Sequence, residues 1–300
     1  MVARNGASDA ELSRMLDGMA KPTNGAKFGP RNRLLAALLP EDLLSLRKHL
    51  ERVPLVDGTV LFEADAPITH VYFVEAGVVS LTAAFRNGRT AEMATVGQEG
   101  VVGISTLLGS DAAVGRYLVQ ASGSALAVEA SRFQSALRKT PALLAVCQAY
   151  ARAFLGQALQ TAACNSVHTV EQRCARWLLM SHDRHDSDTF ALKQELLAKM
   201  LGVCRPTATV GAGALQRAGL IRYSRGVLTV LDRPGLAMAS CECYRAIRDH
   251  FEHLLPSTYE RPLQRTYERP PVRTCERPPA RSYERPHERT YDRPLSQAFG

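Results

Sequence analysis

The chain has no uninterrupted run of about 18 apolar residues, the length needed to cross a bilayer. The nearest stretch, 142–163, is broken by Gln148, Arg152 and Gln157. No membrane span is therefore expected. The opening residues, MVARNGASDAELSRML, lack an apolar h-region, so no secretory signal is expected either. No CxxC pair occurs among the seven cysteines, and their odd number argues against both a disulfide framework and a zinc ribbon. A reduced, cytoplasmic protein is the expectation. Histidine is scarce where the sequence reads as strand: only His70 occurs there, whereas a cupin-type metal enzyme needs several on converging strands. His182-Asp183-Arg184-His185-Asp186 falls in a polar connection and reads as a solvated loop. Cys241-Glu242-Cys243 is too short to chelate well alone, and Cys164 and Cys174 read as small buried hydrophobes on helices, so no metal is expected. Nowhere do a nucleophile, a base and an orienting group fall in one motif, so the chain is not expected to be an enzyme.

What is present is an ordinary folding composition: 300 residues, 46% hydrophobic and 22% charged, enough for about two domains at roughly 150 residues each. The net charge of +8 favours a polyanionic partner, and its distribution matters more than its size. Between residues 189 and 226, Lys193, Lys199, Arg205, Arg217, Arg222 and Arg225 face only Glu195. The positive charge of the body is focused on that segment.

Residues 1–30 hold Gly6, Gly18, Gly25, Gly29, Pro22 and Pro30 among polar residues and read as a flexible leader. Over 32–52 the pattern is helical, with Leu43, Leu46 and Leu50 on one face after Pro40, Glu41 and Asp42. From Val53 the period falls to two. Strands are expected over 59–62, 71–75, 78–85, 90–96, 117–120 and 125–129, punctuated by glycines and by the Asn87-Gly88 hairpin pair. Many short antiparallel strands with glycine corners suggest a small β-barrel or jelly roll. A short helix over 133–138 precedes the Thr140-Pro141 step. A long alanine-rich helix follows over 142–164, with Leu144, Cys147, Tyr150 or Ala151, Phe154 or Leu155 and Ala158 near heptad spacing. Such a face needs a partner, either a parallel copy of itself or its own barrel. A further helix over 168–180 carries Trp177, the only tryptophan.

The strongest local signal is LKQELLAKMLGVCRPTATVGAGALQRAGLI over 192–221. Leu196, Leu197 and Met200 or Leu201 form the apolar stripe of a first helix. Ala198 is small where a second helix must cross, and Gly202 stands at the sharp turn. The second helix runs from Arg205 and is anchored by Leu215. Residues 220–230 then read as strand, basic turn, strand. A helix pair with a wing and a local positive charge is the pattern of a winged helix-turn-helix that enters the DNA major groove.

With Glu99-Gly100-Val101-Val102-Gly103, Glu75-Ala76-Gly77 and QRAGLIRYSRG at 216–226, the chain over 33–250 resembles the Crp/Fnr superfamily of transcription regulators. The resemblance implies an α+β fold. Its parts would be a cyclic-nucleotide-binding-like antiparallel β-roll sensor (31–140), a dimerisation helix (141–166) and a winged helix-turn-helix (167–250). It implies a homodimer reading a two-fold symmetric site in double-stranded DNA, with RNA polymerase as a further partner if the bound protein activates. Lys193, Gln194, Ser224 and Arg225 would meet the DNA backbone, and Arg205, Thr207 and Thr209 would lie near the base edges.

The chain departs from the family where the best-known members read bases and hold ligand. Pro206 and Val210 stand where those members carry base-reading residues, so their operator does not transfer. Gly211 and Gly213 inside the second helix each cost about 1 kcal/mol relative to alanine. In the sensor, Gly103 is followed by Ile104 instead of the ribose-holding glutamate, and Arg116 by Tyr117 instead of a small residue. Arg116 alone could pair with a small anion. A cyclic nucleotide is nevertheless not expected as a cofactor. Cys204 falls at the cap of the second helix, where the helix terminus and Arg205 would favour a reactive thiolate and a redox response. Over 256–300 an eight-residue repeat (TYERPLQR, TYERPPVR, TCERPPAR, SYERPHER, TYDRPLSQ) reads as an extended, disordered tail, either a tandem duplication without a role or a source of sequence-independent nucleic-acid affinity.

Overall fold

The computed structural model describes residues 29–254 apart from Arg89. The leader, but for its last two residues, and the repeat tail lie outside the described residues.

The chain enters through Asn32, whose buried side chain serves two ends at once. Its carbonyl oxygen accepts from the N–H groups of Leu34 and Leu35, while its amide donates to Val74 O and Gly100 O at 2.8 Å each. This caps α1 (Arg33–Ala36) and ties it to the barrel. The single helix expected over 32–52 is in fact two, α1 and α2 (Pro40–Arg47). Pro40 holds Leu39 in extended backbone, so the second helix starts afresh there.

The sheet that follows contains β1 (Glu51–Leu55), β2 (Val60–Phe62), β3 (His70–Ala84), β4 (Thr90–Val96), β5 (Val101–Val102) and β6 (Arg116–Glu129). All pairings are antiparallel in the order β1-β6-β3-β4, with β2 on β6 and β5 on β3. The expected strands at 71–75 and 78–85 are one strand, and so are those at 117–120 and 125–129. The glycines between them bend the strands at register shifts without ending them. Gly77 has φ +87°, and a Cβ there would lie 2.5 Å from Ala121 O. β1 was not anticipated: Glu51 and Arg52 read as the end of a helix and 53–55 preceded the first expected strand, and the edge of β6 makes all five a strand. Phe73 meets Phe133 edge-on at 5.8 Å, so the helix α3 (Ala130–Lys139) closes the roll.

The helix α4 (Pro141–Val167) spans 27 residues, about 40 Å. By length and composition it is apolar enough to cross a membrane, but its inner face is a core face. Cys147, Tyr150, Phe154 and Gln157 are buried, and Gln157 donates to Thr95 O of β4 at 3.1 Å. Of the heptad positions expected to meet a partner, Cys147, Tyr150 and Phe154 thus face this chain's own barrel and C-terminal helix. The outward stripe is instead Ala145, Gln148, Arg152, Leu155, Leu159, Ala162 and Ser166.

The C-terminal part comprises α5 (Val170–His182), β7 (Thr189–Ala191), α6 (Gln194–Leu201), α7 (Arg205–Arg217), β8 (Ile221–Ser224), β9 (Val227–Val230), α8 (Arg233–Ala239) and α9 (Cys243–Leu254). Thr169 and Gln172 form a reciprocal capping box at the start of α5. The strands make a small sheet in the order β7-β9-β8. α9 returns to α4, where Phe251 packs near Tyr150 with ring centroids 6.3 Å apart.

Candidate nucleic-acid interface and effector site

α6 and α7 form the expected helix-turn-helix. Leu197, Ala198, Met200 and Leu201 are buried, and Gly202 turns the chain at φ +65°. On α7 the inner face is Ala208, Gly211, Ala212 and Leu215, spaced three, one and three apart as a helical stripe requires. The two interior glycines differ in what surrounds them. A Cβ on Gly211 would lie 3.2 Å from Val170 Cγ1, so glycine permits the close crossing of α7 over α5. At Gly213 the nearest atom would be the tip of Arg217 at 3.4 Å, and no packing demands a glycine.

The opposite face of α7 is open. Arg205, Pro206, Thr209, Val210, Gln216 and Arg217 are exposed, with Lys193 exposed at the cap of α6. Thr209 Oγ1 donates to Arg205 O at 2.9 Å and lies 3.3 Å from Gln194 Oε1, so Thr209 and the half-buried Gln194 join the starts of the two helices. Thr207 is half-buried and turns back to Cys204, its hydroxyl 3.0 Å from the exposed Cys204 Sγ. Of the three candidate base readers, Arg205 and Thr209 therefore look outward and Thr207 serves the helix start. Positive charge converges around Glu195. Its carboxyl is held below the usual range first by the hydrogen bond from Lys199, and the charges of Lys199, Arg205 and Lys193 act in the same direction.

The wing turns at Arg225 (φ +50°) and Gly226 (φ +76°), the pair of positive angles of a type I′ hairpin, and carries exposed Ser224 and Arg225 at its tip. Gln216, noted in the sequence only as the first residue of the 216–226 motif, has a structural role that the sequence did not show. Its Oε1 accepts from Tyr223 N at 2.6 Å, while Tyr223 donates its hydroxyl to Leu192 O at 2.9 Å, which locks the wing to the end of α7.

A second unread feature lies between the roll and the helix-turn-helix. Glu92 of β4 is buried, accepting from Ser80 Oγ at 2.7 Å and from Trp177 Nε1 at 2.8 Å. Burial pushes its carboxyl up to about 7, against the opposing pull of those hydrogen bonds and of the Arg176 and Arg184 charges. Beside it Arg184 Nε donates to Glu99 Oε1 at 2.9 Å, an ion pair with both side chains buried. The expectation of a solvated loop over 182–186 fails here: His182 and Arg184 are buried, and Arg184 reaches back into the sensor. A lone tryptophan and an acidic residue in a strand were the only signals.

In the sensor, Gly103 takes φ +95° at the start of a short 3₁₀ turn (Ile104–Leu108), with Ile104 buried against the roll. Arg116, partly exposed at the start of β6, has its Nε 3.3 Å from Glu63 Oε2. Tyr117 is wholly buried, its ring edge-on to Phe62 at 6.1 Å. Ser105 Oγ and Tyr117 Oη are buried without a hydrogen-bond partner among the described residues. His70, the one strand histidine, hydrogen-bonds the neighbouring Thr69 hydroxyl at 3.1 Å. One group of described side chains has the chemistry of metal ligands: Cys164, His168, Cys241 and Cys243, whose donor atoms lie within 4.8 Å of one another.

Residues 52–140 match the cyclic nucleotide-binding domain model, and residues 172–239 match the Crp-like helix-turn-helix domain model. No curated protein matches the chain significantly. Among solved structures, FixK2 from Bradyrhizobium japonicum is similar at 18% identity and TM-score 0.56, over 64% of this chain and 98% of that one. The c-di-GMP responsive global regulator CLP of Xanthomonas campestris is similar at 19% identity and TM-score 0.53, over 63% and 98%. A crp/fnr family regulator from Eubacterium rectale is similar at 16% identity and TM-score 0.54, over 67% and 94%. At these identities the likeness is one of fold, and it runs nearly the full length of each neighbour. With a cyclic-nucleotide-binding-type roll followed by a Crp-like helix-turn-helix on that shared fold, the chain belongs to the Crp/Fnr superfamily of transcription regulators.

Proposed function

We propose that this regulator binds a palindromic operator in double-stranded DNA as a homodimer, under the control of an effector other than cyclic AMP. The observation that carries the reading is the open face of α7. Arg205 and Thr209 stand exposed at its N-terminal end, flanked by Lys193 of α6 and by Ser224 and Arg225 of the wing. A cationic rim around the first turns of a second helix is what a major groove accepts. In this reading Arg205 and Thr209 face base edges, and Thr207 preserves the helix start. Lys193, Gln194, Ser224 and Arg225 hold phosphates.

Dimerisation is supported by the outward stripe of α4, whose members alternate three and four residues apart with Leu155 and Leu159 at its centre. Two exposed leucines on such a seam match a parallel coiled-coil partner. The division of labour is then a sensor over 31–140, a dimer helix over 141–166 and a DNA-binding part over 167–250, in a cytoplasmic, non-enzymatic protein that engages RNA polymerase if it activates.

The effector is not a cyclic nucleotide. A ribose would meet the buried aliphatic side chain of Ile104 where it needs an acceptor, and a cyclic phosphate would have to displace Glu63 from Arg116. A redox response has its own support in the exposed Cys204 thiol, which holds Thr207 at the start of α7.

Selection of bound sequences from random duplex DNA, with the full chain and with 256–300 removed, tests the reading. The expected outcome is a palindrome with half-sites about one helical turn apart. Recovery of only salt-sensitive, sequence-blind binding would overturn it, and loss of that binding with the tail would assign it to the repeat. Peroxide treatment that oxidises Cys204 without lowering operator affinity would remove the redox response.

A further inference from the structure

Cys164 lies in the last turn of α4, and His168 is the residue that ends that helix. Cys241 sits between α8 and α9, and Cys243 opens α9. Sequence spacing hid their relation, because the two pairs are 77 residues apart at Cys164 and Cys241. Folding brings the three cysteines into one buried cluster that contains nothing else hydrophobic.

Two of its distances match a coordination shell, and all four donor atoms lie within 4.8 Å of one another. In a tetrahedral zinc site with Zn–S of about 2.3 Å and Zn–N of about 2.0 Å, neighbouring sulfurs stand about 3.7 Å apart and sulfur and nitrogen about 3.5 Å apart. Here Cys164 Sγ is 3.5 Å from Cys241 Sγ, and Cys243 Sγ is 3.6 Å from His168 Nδ1. Thus Nδ1 of His168 faces the sulfurs, and Nε2 lies 3.3 Å from Glu242 Oε2. A carboxylate on the far nitrogen is the outer-shell partner that metal-bound histidines use to fix ring orientation and raise basicity. Gln160 Nε2 donates to Cys243 Sγ at 3.0 Å, as a thiolate would require.

The surrounding charge agrees. Arg173 and Arg176 are buried, and among the described residues neither has a carboxylate partner. Their bonds go to the Leu201 carbonyl, the Thr161 hydroxyl and the Met180 sulfur. The charges that act on Arg173 favourably are those of Cys164 and Cys241, and Arg176 acts on Cys164 as well as on Glu92. Three thiolates around a divalent ion carry one net negative charge, which such buried cations offset.

We infer that Cys164, His168, Cys241 and Cys243 form a mononuclear tetrahedral site for a thiophilic divalent cation, zinc being the ion that a Cys₃His set selects. Four closed protein ligands leave no open position, so the site is structural. It clips the exit of the long helix to the start of α9 and closes a loop that contains the whole helix-turn-helix. This fixes the angle at which that part leaves α4. Neither the sensor nor DNA contacts enter the argument, so the site stands or falls apart from the operator reading.

The test uses the full chain, purified reduced, with its metal removed and Co²⁺ added as probe. The expected result is one equivalent bound, with the sulfur-to-cobalt charge-transfer absorption and strong visible bands of a tetrahedral thiolate site, displaced stoichiometrically by Zn²⁺. Cys243→Ser and His168→Ala are expected to weaken or abolish the bands, and Glu242→Gln to lower affinity about 10- to 100-fold while keeping the spectrum. Cys147→Ser, Cys174→Ser and Cys204→Ser are expected to leave it unchanged. The wild-type titration is decisive even where a ligand variant fails to fold. Absence of thiolate-to-cobalt absorption in the wild type would overturn the site, as would bands that survive in the Cys164→Ser/Cys243→Ser double variant. Recovery of iron with inorganic sulfide in place of zinc would overturn the mononuclear assignment.

Discussion

Trp177 of α5 donates its indole N–H to the buried Glu92 carboxylate of β4 at 2.8 Å, joining the helix-turn-helix part to the sensor sheet. Glu92 also accepts from Ser80, which in turn lies 2.6 Å from Gln120 of β6, so a hydrogen-bond chain runs from the centre of the roll to the tryptophan. The Glu99–Arg184 pair lies beside it. The roll and the helix-turn-helix part are thus in continuous polar contact.

Glu92 should make stability depend on pH. Its folded carboxyl is raised to about 7 from 4.5 by burial. The folded state therefore holds a proton that the unfolded chain has released, and stability falls as pH rises from about 4.5 through about 7, then levels off. The loss is on the order of 1–3 kcal/mol. Chemical denaturation from pH 5 to 8 is expected to show this slope in the wild type, and Glu92→Gln to flatten it. An equal slope in both would show that another group titrates.

The two cationic positions of the proposed DNA face should behave differently. Arg205→Ala is expected to cost about 1–3 kcal/mol on the selected operator and to relax preference at one base pair. Lys193→Ala is expected to weaken all sequences alike and reduce the salt slope by about one. Fluorescence anisotropy across a salt series separates the two, and identical effects would mean that Arg205 reads no base.

The outward stripe of α4 should set oligomeric state. Leu155→Glu and Leu159→Glu are each expected to produce monomer by sedimentation, because each removes about 1.5–3 kcal/mol of apolar burial per subunit and inserts a charge in the seam. Arg205→Ala is expected to leave the dimer intact. Unchanged sedimentation of Leu155→Glu/Leu159→Glu would move the dimer interface elsewhere.

The glycines of α7 should part company. Gly213→Ala is expected to stabilise the chain by about 1 kcal/mol, since it meets only the movable end of Arg217. Gly211→Ala must push against Val170 and is expected to gain nothing or to lose stability. Thermal unfolding of the two single variants decides it.

The order of elements was legible in the residues themselves. A period of two between 59 and 129, then an alanine-rich helix, then Ala198, Gly202 and Leu215 at helix-turn-helix spacing, marked out the sheet, the long helix and the helix pair. The charged segment was legible as well, because Lys193, Arg205 and Arg225 all fall between residues 189 and 226 with only Glu195 against them. Local periodicity and local charge depend only on residues a few positions apart, and such information is written along the chain.

What the residues alone could not decide was every relation between distant segments. Whether Cys147 or Leu155 of one helix turned inward depended on where the roll and α9 came to rest, since both are apolar and the sequence pattern suits either face. Whether Gly77 ended a strand or bent one depended on how closely β6 approached. Trp177 found Glu92 across 85 residues, and Cys164 and His168 found Cys241 and Cys243. Composition and spacing determined which elements form. Only tertiary packing, which pairs side chains by distance and burial irrespective of sequence separation, determined which of them meet.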